Sequence, residues 1–158
     1  MGVVLKTAGV IAEWMKKSND EITSSVERLT ALVAIHLNNY GAISTVLLVG
    51  AFTGKFIPTC IGLVCFILLR IHTGGFHFKS LDHCFIFSTC LLSFIPHIHL
   101  NDETIIVLNI FSAALIYRYS ERKIALPVIA VLLNCFVLMP VIALSFLAQS
   151  GTLIKRRG

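Results

Sequence analysis

Arg70-Ile71-His72-Thr73-Gly74-Gly75-Phe76-His77-Phe78-Lys79-Ser80-Leu81-Asp82-His83-Cys84 is a reactive island in an apolar chain. It holds three of the six histidines, a glycine pair, an arginine and a cysteine. An apolar run, 56–71, leads into it, and a second leaves it at about Leu81 and continues to His99. A polar break between two such runs reads as two membrane segments joined at one face of a bilayer, not as the core of a water-soluble domain.

Composition agrees. The chain has 158 residues, 56% hydrophobic and 13% charged, with a mean hydropathy of +0.87. A soluble domain carries about 25% charged residues. So much apolar surface cannot be hidden in one small core, and a multi-pass membrane protein follows. The net charge of +5 does not indicate a nucleic-acid partner. The basic residues sit in groups between apolar runs, where they set membrane orientation. Five cysteines, Cys60, Cys65, Cys84, Cys90 and Cys135, are an odd number lying mostly inside apolar runs, which argues against a disulfide framework. No cleaved signal peptide is expected, because Glu13, Lys16 and Lys17 interrupt any apolar leader.

The expected fold is all-α, a polytopic membrane helical bundle forming one integral membrane domain over 1–158. Residues 3–17 read as an amphipathic helix lying in the membrane interface, with Val3, Val4, Val10, Ile11, Trp14 and Met15 against Lys6, Glu13, Lys16 and Lys17. Ser18-Asn19-Asp20 carries a turn and helix-start signal. A second amphipathic stretch, 20–36, runs into a first span at about 30–53. A second span at 56–71 follows the Lys55–Pro58 turn, a third covers Leu81 to about His99, and a fourth covers 104–118 after Asn101-Asp102-Glu103. The last apolar run, Ile124 to Leu147, is either one span or two short segments broken near Met139-Pro140. The total is five to six membrane segments. Lys6, Lys16, Lys17 and Arg28 precede the first span, Arg70 and Lys79 flank the reactive island, and Arg118, Arg122 and Lys123 follow the fourth. The positive-inside rule puts the N-terminus, the 70–84 stretch and the 118–123 loop in the cytoplasm.

The island can support thiol chemistry. A cysteine attacks as its thiolate, which needs a base, a positive environment or a helix N-terminus. Ser80 is a plausible helix cap, so Cys84 falls in the first turns of the third span, where the helix dipole favours a thiolate. His77 is the best base. Seven residues of continuous helix would separate the two side chains by about 10.5 Å along the axis. His77 must therefore sit on a segment that folds back, and Gly74-Gly75 supplies that freedom. Arg70 would hold this loop through its carbonyls or bind a substrate carboxylate. Asp82 would orient a histidine or, more simply, cap the helix. His72 and His83 are backup bases, and the remaining cysteines read as apolar fillers. Two other readings compete. His72, His77, His83 and Cys84 are zinc-ligand types, although their spacing matches no familiar finger. A non-enzymatic membrane protein, such as a small transporter or assembly partner, would use the few polar residues in the spans, chiefly Asn109 and Asn134.

Arg70, Gly74-Gly75-Phe76-His77 and Cys84, with Ser88 in the apolar sequence beyond, resemble the signature of the AgrB (accessory gene regulator B) family. These are bacterial membrane endopeptidases that mature a quorum-sensing peptide. The resemblance implies Cys84 as nucleophile and His77 as general base, with Arg70 and Gly75 as architectural residues. It matches Arg118, Arg122 and Lys123 to the family's basic loop, here interrupted by Tyr119, Ser120 and Glu121. The implied partner is an AgrD-like precursor peptide with an amphipathic leader and an acidic tail, the tail being drawn to Lys79, Arg118, Arg122 and Lys123. The implied location is the bacterial cell membrane, in contact with its lipid, with the active site at the cytoplasmic face. A homodimer and the absence of any cofactor or nucleic acid complete the expectation.

Overall fold

In the computed structural model, which describes residues 2–19, 21–75, 80–120 and 125–154, the apolar runs become helices. They are α1 (Val3–Ser18), α2 (Val26–Phe52), α3 (Phe56–Thr73), α4 (Leu81–Phe94), α5 (Asp102–Tyr119), α6 (Ala125–Val137) and α7 (Pro140–Ile154), with one 3-10 turn, Ile95–His97, after α4. There is no strand among the described residues.

The helix boundaries have local causes. The expected helix start at 18–20 is instead the end of α1, where the Asn19 amide bonds to Met15 O and Asn19 Oδ1 accepts from the Glu21 amide. Ser25 does the capping of α2, its hydroxyl accepting from the Arg28 amide at 3.3 Å. The amphipathic stretch and the first span are therefore one helix, α2. Thr53 and Gly54, the latter at φ +69°, turn the chain into α3, whose Pro58 lies in the first turn, where its missing N–H costs nothing. The third apolar run stops being α-helical at Phe94, five residues earlier than its hydropathy suggests. Pro96 follows, and its ring would clash with a carbonyl one turn back. Asn101 caps α5 through the Thr104 amide, with Asp102 and Glu103 in the first turn facing the helix dipole favourably.

The last apolar run is broken, as Pro140 allows. Leu138 takes φ +55°, a left-handed value unusual for leucine. Asn134 staples the break. Its side-chain oxygen accepts from the Met139 amide and its Nδ2 donates to Met139 O, both at 3.2 Å. Its Nδ2 also reaches Asn109 Oδ1 on α5 at 3.4 Å.

Among the described residues two helices, α2 and α3, are long and apolar enough to cross a membrane, while α6 and α7 are shorter apolar helices. At 1.5 Å per residue, the 27 residues of α2 span about 40 Å against a hydrocarbon core of about 30 Å.

The chain divides into two compact units, Met1–Thr45 with His77–Cys90, and Val46–Phe76 with Leu91–Gly158. In the first, Ala8, Ala12, Leu29, Ala34 and Cys84 are buried. A Cβ at Gly41 would lie 3.1 Å from the Phe85 ring, so α2 and α4 approach closely there.

In the second unit α7 packs between α3 and α5. A Cβ on Gly62 would meet Val141 Cγ2 at 2.9 Å and Ser145 Oγ at 3.0 Å, which explains a glycine in mid-helix. Farther along, Arg70 meets Gln149 and Gly75 meets Thr152, so α3 and α7 run parallel. Leu69, Ala113, Ile116, Val131, Phe146 and Leu153 form the core, drawn from all four helices α3, α5, α6 and α7.

Polarity in this unit is inverted relative to a soluble domain. Thr59, Thr73, Asn109, Ser112, Asn134, Ser145, Gln149 and Ser150 are buried, whereas Phe52 is 88% and Phe136 85% exposed, together with Val64, Leu68, Ile110, Phe111, Ile129 and Leu133. An apolar exterior over polar helix contacts is what a lipid solvent favours. It also explains the high hydropathy of the sequence.

Candidate functional site

The reactive island is divided between the two units. Arg70, Thr73, Gly74 and Gly75 belong to the second, and Ser80, Asp82, His83 and Cys84 to the first. His77 and Lys79 of the island, and Arg122 and Lys123 of the basic loop, lie outside the described residues.

The upstream part is the end of α3. Gly74 terminates that helix at φ +74°, its amide bonding to Arg70 O at 2.8 Å, and Gly75 follows at φ +150°. Both values are readily open only to glycine, so the pair does provide a turn that other residues resist. Arg70, half-buried on the last turn of α3, donates from Nη1 to Gln149 Oε1 at 3.2 Å. Its guanidinium also sits 5.9 Å from the Phe66 ring centre. The Gln149 amide nitrogen donates to Thr73 Oγ1 at 3.2 Å and to Gly74 O. A Cβ on Gly75 would collide with Thr152 Oγ1 and press on Gln149 Nε2. Arg70, Gly74 and Gly75 are therefore brought together, with Gln149 as their common partner.

The downstream part is the start of α4. Cys84 is its fourth residue, and the Cys84 amide donates to Ser80 O at 3.2 Å. The cysteine is thus in the first turn, where unpaired amides give a helix its positive end. It is 7% exposed. Cys60, Cys65 and Cys135 are half-buried and Cys90 exposed, and of these four expected fillers Cys65 packs against the apolar core of the second unit. In a chain with an apolar exterior the exposure of Cys90 is no penalty.

The hydrogen bonds of the Asp82 carboxylate cap a helix other than its own. The two carboxylate oxygens accept from the Val3 amide at 3.0 Å and the Val4 amide at 2.9 Å, at the start of α1. Gly2, in the capping position of α1, has no side chain to do this. A Cβ there would run into the Asp82 carboxylate. A cleft of about 460 Å³ opens beside this contact, lined by Gly2, Leu5, Ala31, Ala34, Ile35 and the 80–82 turn.

The other candidates are placed apart. His72 is exposed, with Nδ1 2.8 Å from Leu68 O on its own helix. His83 is exposed beside Cys84. Arg118 is exposed on the last turn of α5, 5.7 Å from the Tyr119 ring centre. No three His, Cys, Asp or Glu side chains gather as a metal site among the described residues.

Sequence reasoning missed Gln149, Thr152 and Gly2. A glutamine in an apolar helix is the one signal that could have singled out Gln149. The Gly2–Asp82 contact has no local signal at all.

No curated protein and no solved structure matches the chain. A family model described as Accessory gene regulator B (AgrB) matches residues 8–146, which include the whole reactive island and both helices that bear it. The chain belongs to the AgrB family.

Proposed function

We propose that this protein is a membrane-embedded cysteine endopeptidase that cuts the acidic tail from a small AgrD-like precursor peptide and closes the remainder into a ring. Family membership already places it in the maturation of an autoinducing peptide and makes a precursor peptide its substrate. The observation that carries the finer reading is the location of Cys84, a thiol on the first turn of α4 within the matched segment. There the helix amides favour negative charge on sulfur and on a developing oxyanion.

In this reading Cys84 Sγ attacks the carbonyl at the core–tail junction. The C–N bond breaks, His77 gives a proton to the departing amine, and an acyl thioester remains on Cys84. A Cys or Ser within the peptide then attacks the thioester carbonyl. The attacker's proton passes to His77, Cys84 leaves as thiolate, and a thiolactone or lactone ring is closed. Water must be excluded for ring closure to outrun hydrolysis, which suits a site at a membrane boundary. Lys79, Arg118, Arg122 and Lys123 form a basic inner surface for the acidic tail. The helices α2 to α7 supply six membrane segments, and the island faces the cytoplasm. Arg70, Gly74 and Gly75 serve the architecture of the site.

The test is cleavage of the precursor peptide encoded beside this protein, followed in membranes carrying the parent chain, Cys84→Ala or His77→Ala. Both variants are expected to insert and to lose cleavage. Retained cleavage in either one rejects the role assigned to that residue.

A further inference from the structure

The cleft of about 460 Å³ lies wholly within the first unit and suits an apolar guest. Leu5, Ile35 and Leu81 give it apolar walls, and the small residues Gly2, Ala31 and Ala34 keep it open. Its volume falls in the range of about 300–1,000 Å³ usual for ligand pockets. Its one charged lining residue, Asp82, already accepts the Val3 and Val4 amides, so it calls for no cation. A second carboxylate beside it would still be repelled.

The nucleophile and an unused acceptor lie next along the seam between α2 and α4. Ala34, Asn38 and Gly41 share one face of α2, and Leu81, Cys84 and Phe85 share one face of α4. The two faces meet on either side of the middle pair. Ala34 lines the cleft with Leu81, and a Cβ on Gly41 would lie 3.1 Å from the Phe85 ring. Asn38 and Cys84 fall between these contacts, and each is 7% exposed. Asn38 Nδ2 donates to Asn39 Oδ1 at 3.3 Å, but its buried Oδ1 has no partner among the described residues. A buried carbonyl oxygen without a donor costs free energy. A peptide N–H is the donor that relieves it.

We propose that the cleft is a specificity pocket for the residue of the precursor peptide that supplies the cut carbonyl. An apolar side chain of that residue enters the cleft, its N–H donates to Asn38 Oδ1, and its carbonyl carbon meets Cys84 Sγ. The inference rests on the Cys84 reading above. From Leu81 to Cys84 is about 4.5 Å along α4, and from Ala34 to Asn38 about 6 Å along α2. A single peptide residue reaches over both distances. The side of the cut follows from charge. The departing tail is acidic in this reading, and Asp82 disfavours an acidic guest, so the cleft serves the acyl side.

The experiment uses the full-length chain in lipid nanodiscs and precursor peptides that differ only at the residue supplying the cut carbonyl, which is glycine, alanine, leucine or phenylalanine. The parent is expected to cut the leucine and phenylalanine peptides with kcat/KM about tenfold or more above the glycine peptide. Ala31→Phe narrows the cleft from an exposed position and is expected to reverse that order. Ala31→Leu serves if the phenylalanine variant does not fold. Ile35→Ala widens the cleft and is expected to favour phenylalanine over leucine more than the parent does. Asn38→Leu is expected to raise KM for every peptide and keep the parental order. A merely structural role would lower all rates without changing the order. If the Ala31 and Ile35 variants both keep the parental order, the pocket is overturned, and a parental KM in Asn38→Leu overturns the hydrogen bond. If Cys84→Ala still cuts the peptides, the cysteine reading fails and this inference with it.

Discussion

Gly75 has no room for a side chain. Its φ of +150° is closed to other residues, and Thr152 Oγ1 and Gln149 Nε2 occupy the space a Cβ would need. Gly75→Ala should therefore cost about 1–3 kcal/mol of stability and most of the activity. Thermal unfolding and precursor cleavage, measured side by side, check this. Asp82 makes a different prediction. It accepts two amides of α1, so Asp82→Ala should weaken the start of that helix by about 1 kcal/mol. Hydrogen exchange should quicken at Val3 and Val4 and stay unchanged in α7. At this scale the sequence was legible where chemistry is local. The polar-to-apolar step at 80–84 put Cys84 on a first helical turn, and the glycine pair announced a turn with positive φ. Pairings such as Arg70 with Gln149, 79 residues apart in the chain, depend on which helices become neighbours, and no spacing rule encodes that.

The helices themselves were readable from hydropathy, and their ends less so. The run from Leu81 lost its last five residues to the Pro96 turn, and the first span extended backwards to Ser25 because a good cap lay ahead of the expected start. The last run could be read as one helix or two, and Pro140 only permitted the break. Asn134 enforces it by pairing with both polar groups of Met139. Asn134→Leu should destabilise the protein by about 1–3 kcal/mol through the unpaired Met139 amide and leave cleavage per folded molecule near parental. Chemical denaturation in detergent, with cleavage normalised to folded protein, measures both. This assignment also gives Asn109 and Asn134 a structural use in place of the polar pathway a transporter would need.

The second unit inverts the usual distribution of polarity, with an apolar exterior and buried polar residues between helices among the described residues. The parallel course of α3 and α7 brings the ends of both to one side of the second unit. With six segments, that side is the cytoplasm. Thr53→Cys and His99→Cys, in a chain stripped of its native cysteines, should react with an impermeant maleimide in intact cells. Ser120→Cys and a C-terminal tag should become accessible only after permeabilisation. Five segments would reverse the result for the tag. Charge pattern suggested this orientation from sequence, but whether the last apolar run is one helix or two was settled only by the break at Leu138.

All of this bears on one sulfur atom. Incubating the protein with its precursor peptide and quenching in acid should leave the leader-and-core segment, without its tail, as an acyl group on Cys84. Intact-mass and peptide-mapping spectrometry should locate it there, hydroxylamine should remove it, and Cys84→Ala should neither carry it nor cut the peptide. An acyl group on another residue, or parental cleavage by Cys84→Ala, would contradict the account.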